Sequence, residues 1–259
     1  IIQMKMKIII SPAKKIDSSK NRNNIPYSEP YFLDKSIELV NILKDFSPTE
    51  LSRLMGVSAN LGLLNADRYL SWSLPFNYDN AKQAILSFKG SVYSAMNPED
   101  FNKTDFDFAQ KHLRILSGLY GILKPLDLVQ AYRLEMGAKF KTYKSKNLYH
   151  FWGDSLTEHM TKEIVRDKDT FLVNLASNEY SKSLNLKELG VPIVTPVFKD
   201  FKDGKLKVIS FFAKKARGNM CRYIIKNKIN SYKKLVDFSE EGYIFDKDLS
   251  SDSEFIFVR

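Results

Sequence analysis

Apolar and polar positions follow two rhythms along the chain. In the first 165 residues the spacing is mostly helical. Segment 31–46 carries Leu33, Ile37, Val40 and Leu43 on one face, and Phe106, Ala109, Leu113 and Leu116 do the same in 105–116. Ser47-Pro48-Thr49-Glu50 predicts a helix start, with Ser47 as N-cap, proline at the first position and Glu50 completing a capping box. Shorter helical pieces are expected at 67–74 and 79–90, and a polar surface loop at 17–30. Strand patterns dominate later, as β-branched or aromatic runs at 170–175, 193–198 and 206–212. Asp203-Gly204 marks a hairpin turn between the last two. The β-prone run 7–10 ends at Ser11-Pro12, which forces an extended or turning exit. The expected fold is mixed α and β (α+β): one unit over 1–259 with a mixed sheet flanked by helices. It is helix-rich over 31–165 and strand-rich over 166–259, with the N-terminal strand joining the later sheet.

Composition narrows the classes. With 44% hydrophobic and 13% aromatic residues, the chain can bury a full core and does not read as disordered. One cysteine, Cys221, excludes an intramolecular disulfide, and three histidines beside it give no zinc framework. No apolar run approaches the roughly 18 residues of a membrane helix, and the N-terminus has no signal-peptide core. The expected setting is cytoplasmic, without a membrane partner.

Charge changes the picture more. The net charge is +10, and segment 199–234 alone holds twelve Lys/Arg against two acids, leaving 28 against 28 elsewhere. Two readings stand: a solvated lysine-rich face, or a site for a polyanion such as nucleic acid. Over 217–229, Met220, Cys221, Ile224 and Ile225 share one helical face, with Arg222 and Lys226 opposite. If that helix extends back through the AKKAR run, Lys215 joins the outer face while Lys214 and Arg217 turn toward the apolar side. Such inward cations need a carboxylate or a bound anion. If it starts only near Ala216, both lie in a loop.

Four constellations could carry chemistry. In LRILSGLYGILKPLDL, a helix ending at Ser117-Gly118 and resuming at Gly121 would resemble the glycine turn of helix–hairpin–helix DNA binders, which leaves backbone amides open to a phosphate. A plain glycine helix stop explains Gly118 equally well, and Pro125 limits the second helix. In NLASNEY a strand turns polar at Asn174, and Ser177, Asn178 and Glu179 sit where it hands over to a helix, as site residues or as capping groups with Ser177 as N-cap. Arg133 and Glu135 form an ion pair, or a phosphate clamp with a carboxylate acid/base. Lys14 follows the first strand, where it could reach a crevice. His112, His150 and His159 show no metal-ligand spacing, and nothing in the sequence demands a cofactor or a metal.

IISPAK, FKGSVY, LRILSGLYGILKPLDL, YRLEMG, NLYHFWG, NLASNEY and VISFFAKKARGNMCRYII occur in that order, and together they resemble the YaaA peroxide-stress protein family over about residues 6–259. The resemblance implies a cytoplasmic bacterial protein of the hydrogen-peroxide response, linked to limiting free iron and DNA damage. It further implies a mixed fold with a helix–hairpin–helix element and a positively charged cleft that binds DNA. Mapped here, Ser117, Gly118, Gly121 and Lys124 would form the hairpin, with Lys214, Lys215, Arg217, Arg222 and Lys226 around the cleft. The partner would be duplex DNA or repair intermediates, held by phosphates with little sequence preference. The alternative is an enzyme acting on a nucleotide, damaged base or other anion through Lys14, Arg133, Glu135, Asn174, Asn178, Glu179, Lys214 and Arg217. Two positions depart from the family pattern: Ser91 replaces its usual acid, and Ala131 its usual proline.

Overall fold

A computed structural model describes residues 5–17, 19 and 25–259. Part of the expected loop 17–30 therefore lies outside the described residues.

The main sheet has eight strands, numbered here β1 (Met6–Ile10), β2 (Leu113–Ser117), β3 (Gly121–Leu123), β4 (Phe171–Leu175), β5 (Ile193–Lys202), β6 (Lys205–Lys207), β7 (Ile244–Asp246) and β8 (Glu254–Val258). Their order is β7-β8-β5-β4-β1-β2-β3, with β6 hairpinned onto β5. Strands β8, β5, β4, β1 and β2 are parallel, while β3, β6 and β7 attach antiparallel. All five residues of β1 and of β4 are buried, as continuous apolar runs covered on both faces should be. Lys7 within β1 is held by Asp167 at 2.6 Å and Asp169 at 2.9 Å. The helices that matter below are α1 (Leu33–Lys44), α2 (Pro48–Met55), α3 (Ala59–Ser71), α4 (Ser91–Met96), α5 (Lys103–His112), α6 (Ser155–Asp167), α7 (Asn178–Ser181) and α8 (Ser210–Lys226).

The capping box at α2 forms as expected: Ser47 Oγ accepts the Glu50 amide and Glu50 returns to the Ser47 amide. Elsewhere tertiary context overrides periodicity. The helix expected over 105–116 stops at His112, and LRILS becomes β2. A fully buried apolar run reads as helix or covered strand alike. Here pairing with β1 decides, at Ile8↔Leu113 and Ile10↔Ile115. Arg114 is tolerated inside that strand because Glu163 of α6 meets its Nε at 2.6 Å and its Nη2 at 3.1 Å. The helix expected at 79–90 is broken into Lys82–Gln83, a turn of helix at Ala84–Ser87, and Phe88–Lys89, which pairs with Lys15–Ile16.

The hairpin at Asp203-Gly204 is present, with both residues at positive φ (54° and 73°). The following strand, however, ends at Lys207 rather than at 212, and the chain enters α8 at Ser210. Helix wins because Ala213, Ala216, Met220, Ile224 and Ile225 form one buried stripe. The helix therefore does extend back through AKKAR. It packs on α4 so closely that a Cβ on Gly218 would lie 2.1 Å from the Val92 carbonyl oxygen. No helix among the described residues is long and apolar enough to cross a membrane.

Candidate functional site

Strand β1 continues on one side to β2, and β4 continues on the other side to β5. Parallel strands whose exits diverge leave a crevice beyond their carboxyl ends, the usual ligand position in such sheets. A cavity of about 340 Å³ occupies that place. Residues 11–15 after β1, Ser177 and Glu179 after β4, and residues 89–93 leading into α4 line it, with Glu135, Lys214 and Arg217.

The floor is built from short polar contacts. Ser177 donates its amide to Ser11 Oγ at 2.9 Å, and Ser11 Oγ lies 3.2 Å from Ser177 Oγ. Tyr93 donates its hydroxyl to the Ser11 carbonyl at 3.0 Å. Asn174 is buried and its Oδ1 accepts the Ala176 amide at 3.1 Å, so it shapes the turn rather than facing a ligand. Asn178 heads α7 and does not line the cavity. Glu179 Oε1 accepts the Gly137 amide at 3.0 Å, joining the two loops. Glu135 is gripped by Lys14 at 2.9 Å and Arg133 at 3.2 Å, so the expected ion pair exists; Glu135 lines the cavity, while Arg133 stands behind it and does not.

Five cations, Lys14, Lys15, Lys89, Lys214 and Arg217, face two carboxylates in this lining. Lys89 also reaches outward to Glu99 at 2.6 Å. Lys14 and Lys89 are paired, whereas the side chains of Lys15, Lys214 and Arg217 have no hydrogen bond or ion pair within the protein, among the described residues. Burial pulls the Arg217 guanidinium below its ordinary range, with no carboxylate to restore it. Arg217, partly buried, is the inward cation the helical phasing anticipated, whereas Lys214 lines the cavity but stays exposed; no protein carboxylate answers either.

The other expected contacts lie elsewhere. Ser117, Gly118 and Gly121 form a buried β-hairpin turn, not a helix–hairpin–helix, with Ser117 pairing Gly121 across β2 and β3. Its amides are already satisfied: Ser117 Oγ accepts the Leu119 and Tyr120 N–H groups at 3.2 and 2.9 Å. Gly118 is needed because a Cβ would meet the Leu134 carbonyl oxygen at 2.2 Å, and Gly121 has φ +69°. Both glycines serve packing and turn geometry, and no phosphate can reach the amides beside them. Lys124 lies 4.0 Å from Glu163, away from the cavity. Lys215 pairs with Glu241 at 2.5 Å. Arg222 binds Asp100 through two contacts of 2.7 Å, and Lys226 reaches Asp105 at 2.9 Å. These last cations clamp α8 to the α4–α5 segment instead of facing a groove.

Lys15 and Lys89 are not singled out in the sequence, whereas Ser177 stands out only as a capping or handover residue and Ser11 only as the start of the Lys14 turn. FKGSVY marks the vicinity of Lys89, but nothing local says that this turn meets the end of β1. Burial pushes the Cys221 thiol up to about 12, so it is protonated and shielded, unlike a peroxide-reactive thiolate. Among the described residues, no three His, Cys, Asp or Glu side chains converge as a metal site.

Fold and site thus define a mostly parallel α/β protein with a cationic cavity at the point where its strand order reverses. The chain matches the peroxide stress protein YaaA family over residues 6–249, and it belongs to that family. It is 49% identical over 254 residues to a UPF0246 protein of Hahella chejuensis (strain KCTC 2396), covering 98% of this chain and 99% of that relative.

Proposed function

We propose that this member of the peroxide-stress family binds DNA by seating backbone phosphate in the cavity between β1, β4 and α8. One observation supports this above the rest: Lys214 and Arg217 are delivered to a concave site without any protein carboxylate to neutralise them. A phosphate diester is singly charged, and a guanidinium can hold it through two parallel hydrogen bonds. Lys14, Lys15 and Lys89 then add field at the rim without base readout. The same geometry narrows the contact. With Arg222 and Lys226 committed to Asp100 and Asp105, the grip is local to the cavity rather than spread along α8.

The test is an oligonucleotide titration between about 50 and 200 mM salt. Affinity should fall steeply, and Arg217→Ala should weaken binding about tenfold or more with a shallower salt slope. Lys226→Ala should leave binding nearly unchanged. A dissociation constant indifferent to salt, or equal loss in both variants, contradicts the proposal.

A second reading has its own support. Glu135, on the cavity wall and held by Lys14 and by Arg133 behind it, places a carboxylate beside the phosphate position, as acid–base chemistry on a bound nucleotide requires. Turnover of a nucleotide or damaged oligonucleotide that disappears in Glu135→Gln while binding persists would favour it.

A further inference from the structure

The cavity is larger than a phosphate needs. A phosphate group fills about the space of three waters, roughly 90 Å³ at 30 Å³ each, whereas the cavity measures about 340 Å³. At that size it belongs at the small end of ligand pockets, which run from about 300 to 1,000 Å³. Most of its space is left for whatever the phosphate carries.

The lining describes that remainder. Beside the cations stand Pro12 and Ala13 after β1, Val92 and Tyr93 on α4, Leu175 at the end of β4 and Tyr180 on α7. Tyr93, Leu175 and Tyr180 are buried members of the hydrophobic core, so this apolar part is preformed. Two carboxylates complete the lining. Glu135 commits Oε1 to Lys14 and Arg133, and Glu179 commits Oε1 to the Gly137 amide. Oε2 of each accepts no hydrogen bond, among the described residues. Lys214 and Arg217 pair with neither glutamate, so the cations and the carboxylates do not neutralise each other. A bare phosphate is repelled by those oxygens. A nucleobase suits them: it has a flat apolar face for the wall, and amino or ring N–H groups for open acceptors. Within a duplex both are taken up by stacking and pairing, so only an unpaired base, turned out of the stack, fits such a cavity.

We infer that the cavity takes one unpaired nucleotide whole, with its phosphate on Lys214 and Arg217, its base against Val92 and Tyr93, and the N–H groups of the base toward Glu135 and Glu179. In a DNA strand that nucleotide is turned out of the helix. This rests on the cavity being a phosphate site, and the experiment separates the two. Calorimetric titrations of the full chain compare dAMP with 2-deoxyribose 5-phosphate, which keeps the sugar and phosphate but has no base. dAMP should bind at least about tenfold tighter, the effect of one stacked base. Arg217→Ala should weaken both ligands. Val92→Trp, which fills the apolar wall from α4, should remove the preference for dAMP and leave the sugar phosphate bound as before. A second readout needs no variant: 2-aminopurine opposite a mismatch in a duplex is dim while stacked, and its emission should rise several-fold on binding.

Equal binding of dAMP and deoxyribose 5-phosphate, with 2-aminopurine emission unchanged, would overturn the base pocket and leave the phosphate site standing. If neither small ligand nor the duplex binds, both fall. A preference for dAMP that survives Val92→Trp in a folded protein puts the base elsewhere and overturns the inference.

Discussion

Arg114 and Arg217 are both withdrawn from water, but their surroundings differ. Glu163, 2% exposed like its partner, closes on Arg114 with two hydrogen bonds, and the Leu113 and Gln110 carbonyls both accept from the Arg114 Nη1. Glu163→Ala leaves that guanidinium buried and unpaired, which should cost about 3–5 kcal/mol in chemical denaturation. Arg217 is already unpaired, so Arg217→Met should leave the melting temperature unchanged or raise it while anion binding falls. A clear drop in melting temperature would mean that Arg217 serves the fold. Asp127 sets a pH dependence. Burial pushes its carboxyl up to about 6, partly offset by hydrogen bonds from Ser28 and the Lys124 amide. Because the folded state holds this proton more tightly than the ordinary 3.8 of the unfolded chain, its stabilisation is full below pH 4 and is lost as pH rises through about 6. Asp105 runs the other way: burial raises it, but Lys228 and Lys226 outweigh that and hold it at about 2. Its contribution is therefore present above 3.8 and lost as pH falls toward 2. Asp127→Asn should remove the fall in stability between pH 4 and 7, measured by urea melts against wild type.

At the scale of elements, the α8–α4 contact is what places Arg217. Gly218 lets the two backbones touch, and a methyl there would collide with the Val92 carbonyl. Gly218→Ala should cost about 1–3 kcal/mol and weaken ligand binding as well, because Val92 and Arg217 line the same cavity. Loss of stability with undiminished binding would mean that the helix spacing does not set the site. Elements with strong local signals were legible in the sequence: the capping box at Ser47, the Asp203-Gly204 turn and the buried stripe of α8. LRILS was not, because a run buried on both sides has no periodicity to separate strand from helix; its fate depends on β1, more than a hundred residues earlier. The same error produced the expected helix–hairpin–helix, since Gly118 and Gly121 carry one composition signature for two different turns. Phe211 and Phe212 look like strand residues for the same reason, until the α8 stripe claims them for its first turn.

For the whole molecule, topology assembles the site. Lys14, Glu135, Glu179 and the Lys214–Arg217 pair come from four separated stretches and meet only because β1 and β4 exit in opposite directions. Sequence analysis could nominate each one, but their convergence is a property of strand order. The surplus of positive charge at 199–234 is likewise not one surface. Part of it clamps α8 to Asp100 and Asp105, part lies on the β5–β6 ribbon, and two residues reach the cavity unpaired. The most direct measurement is a crystal structure with a short oligonucleotide bound. The account predicts a phosphate oxygen about 3 Å from the Arg217 guanidinium, with Lys214 beside it. A strand lying instead along Arg222 and Lys226, with their Asp100 and Asp105 pairs broken and the cavity empty, would contradict it.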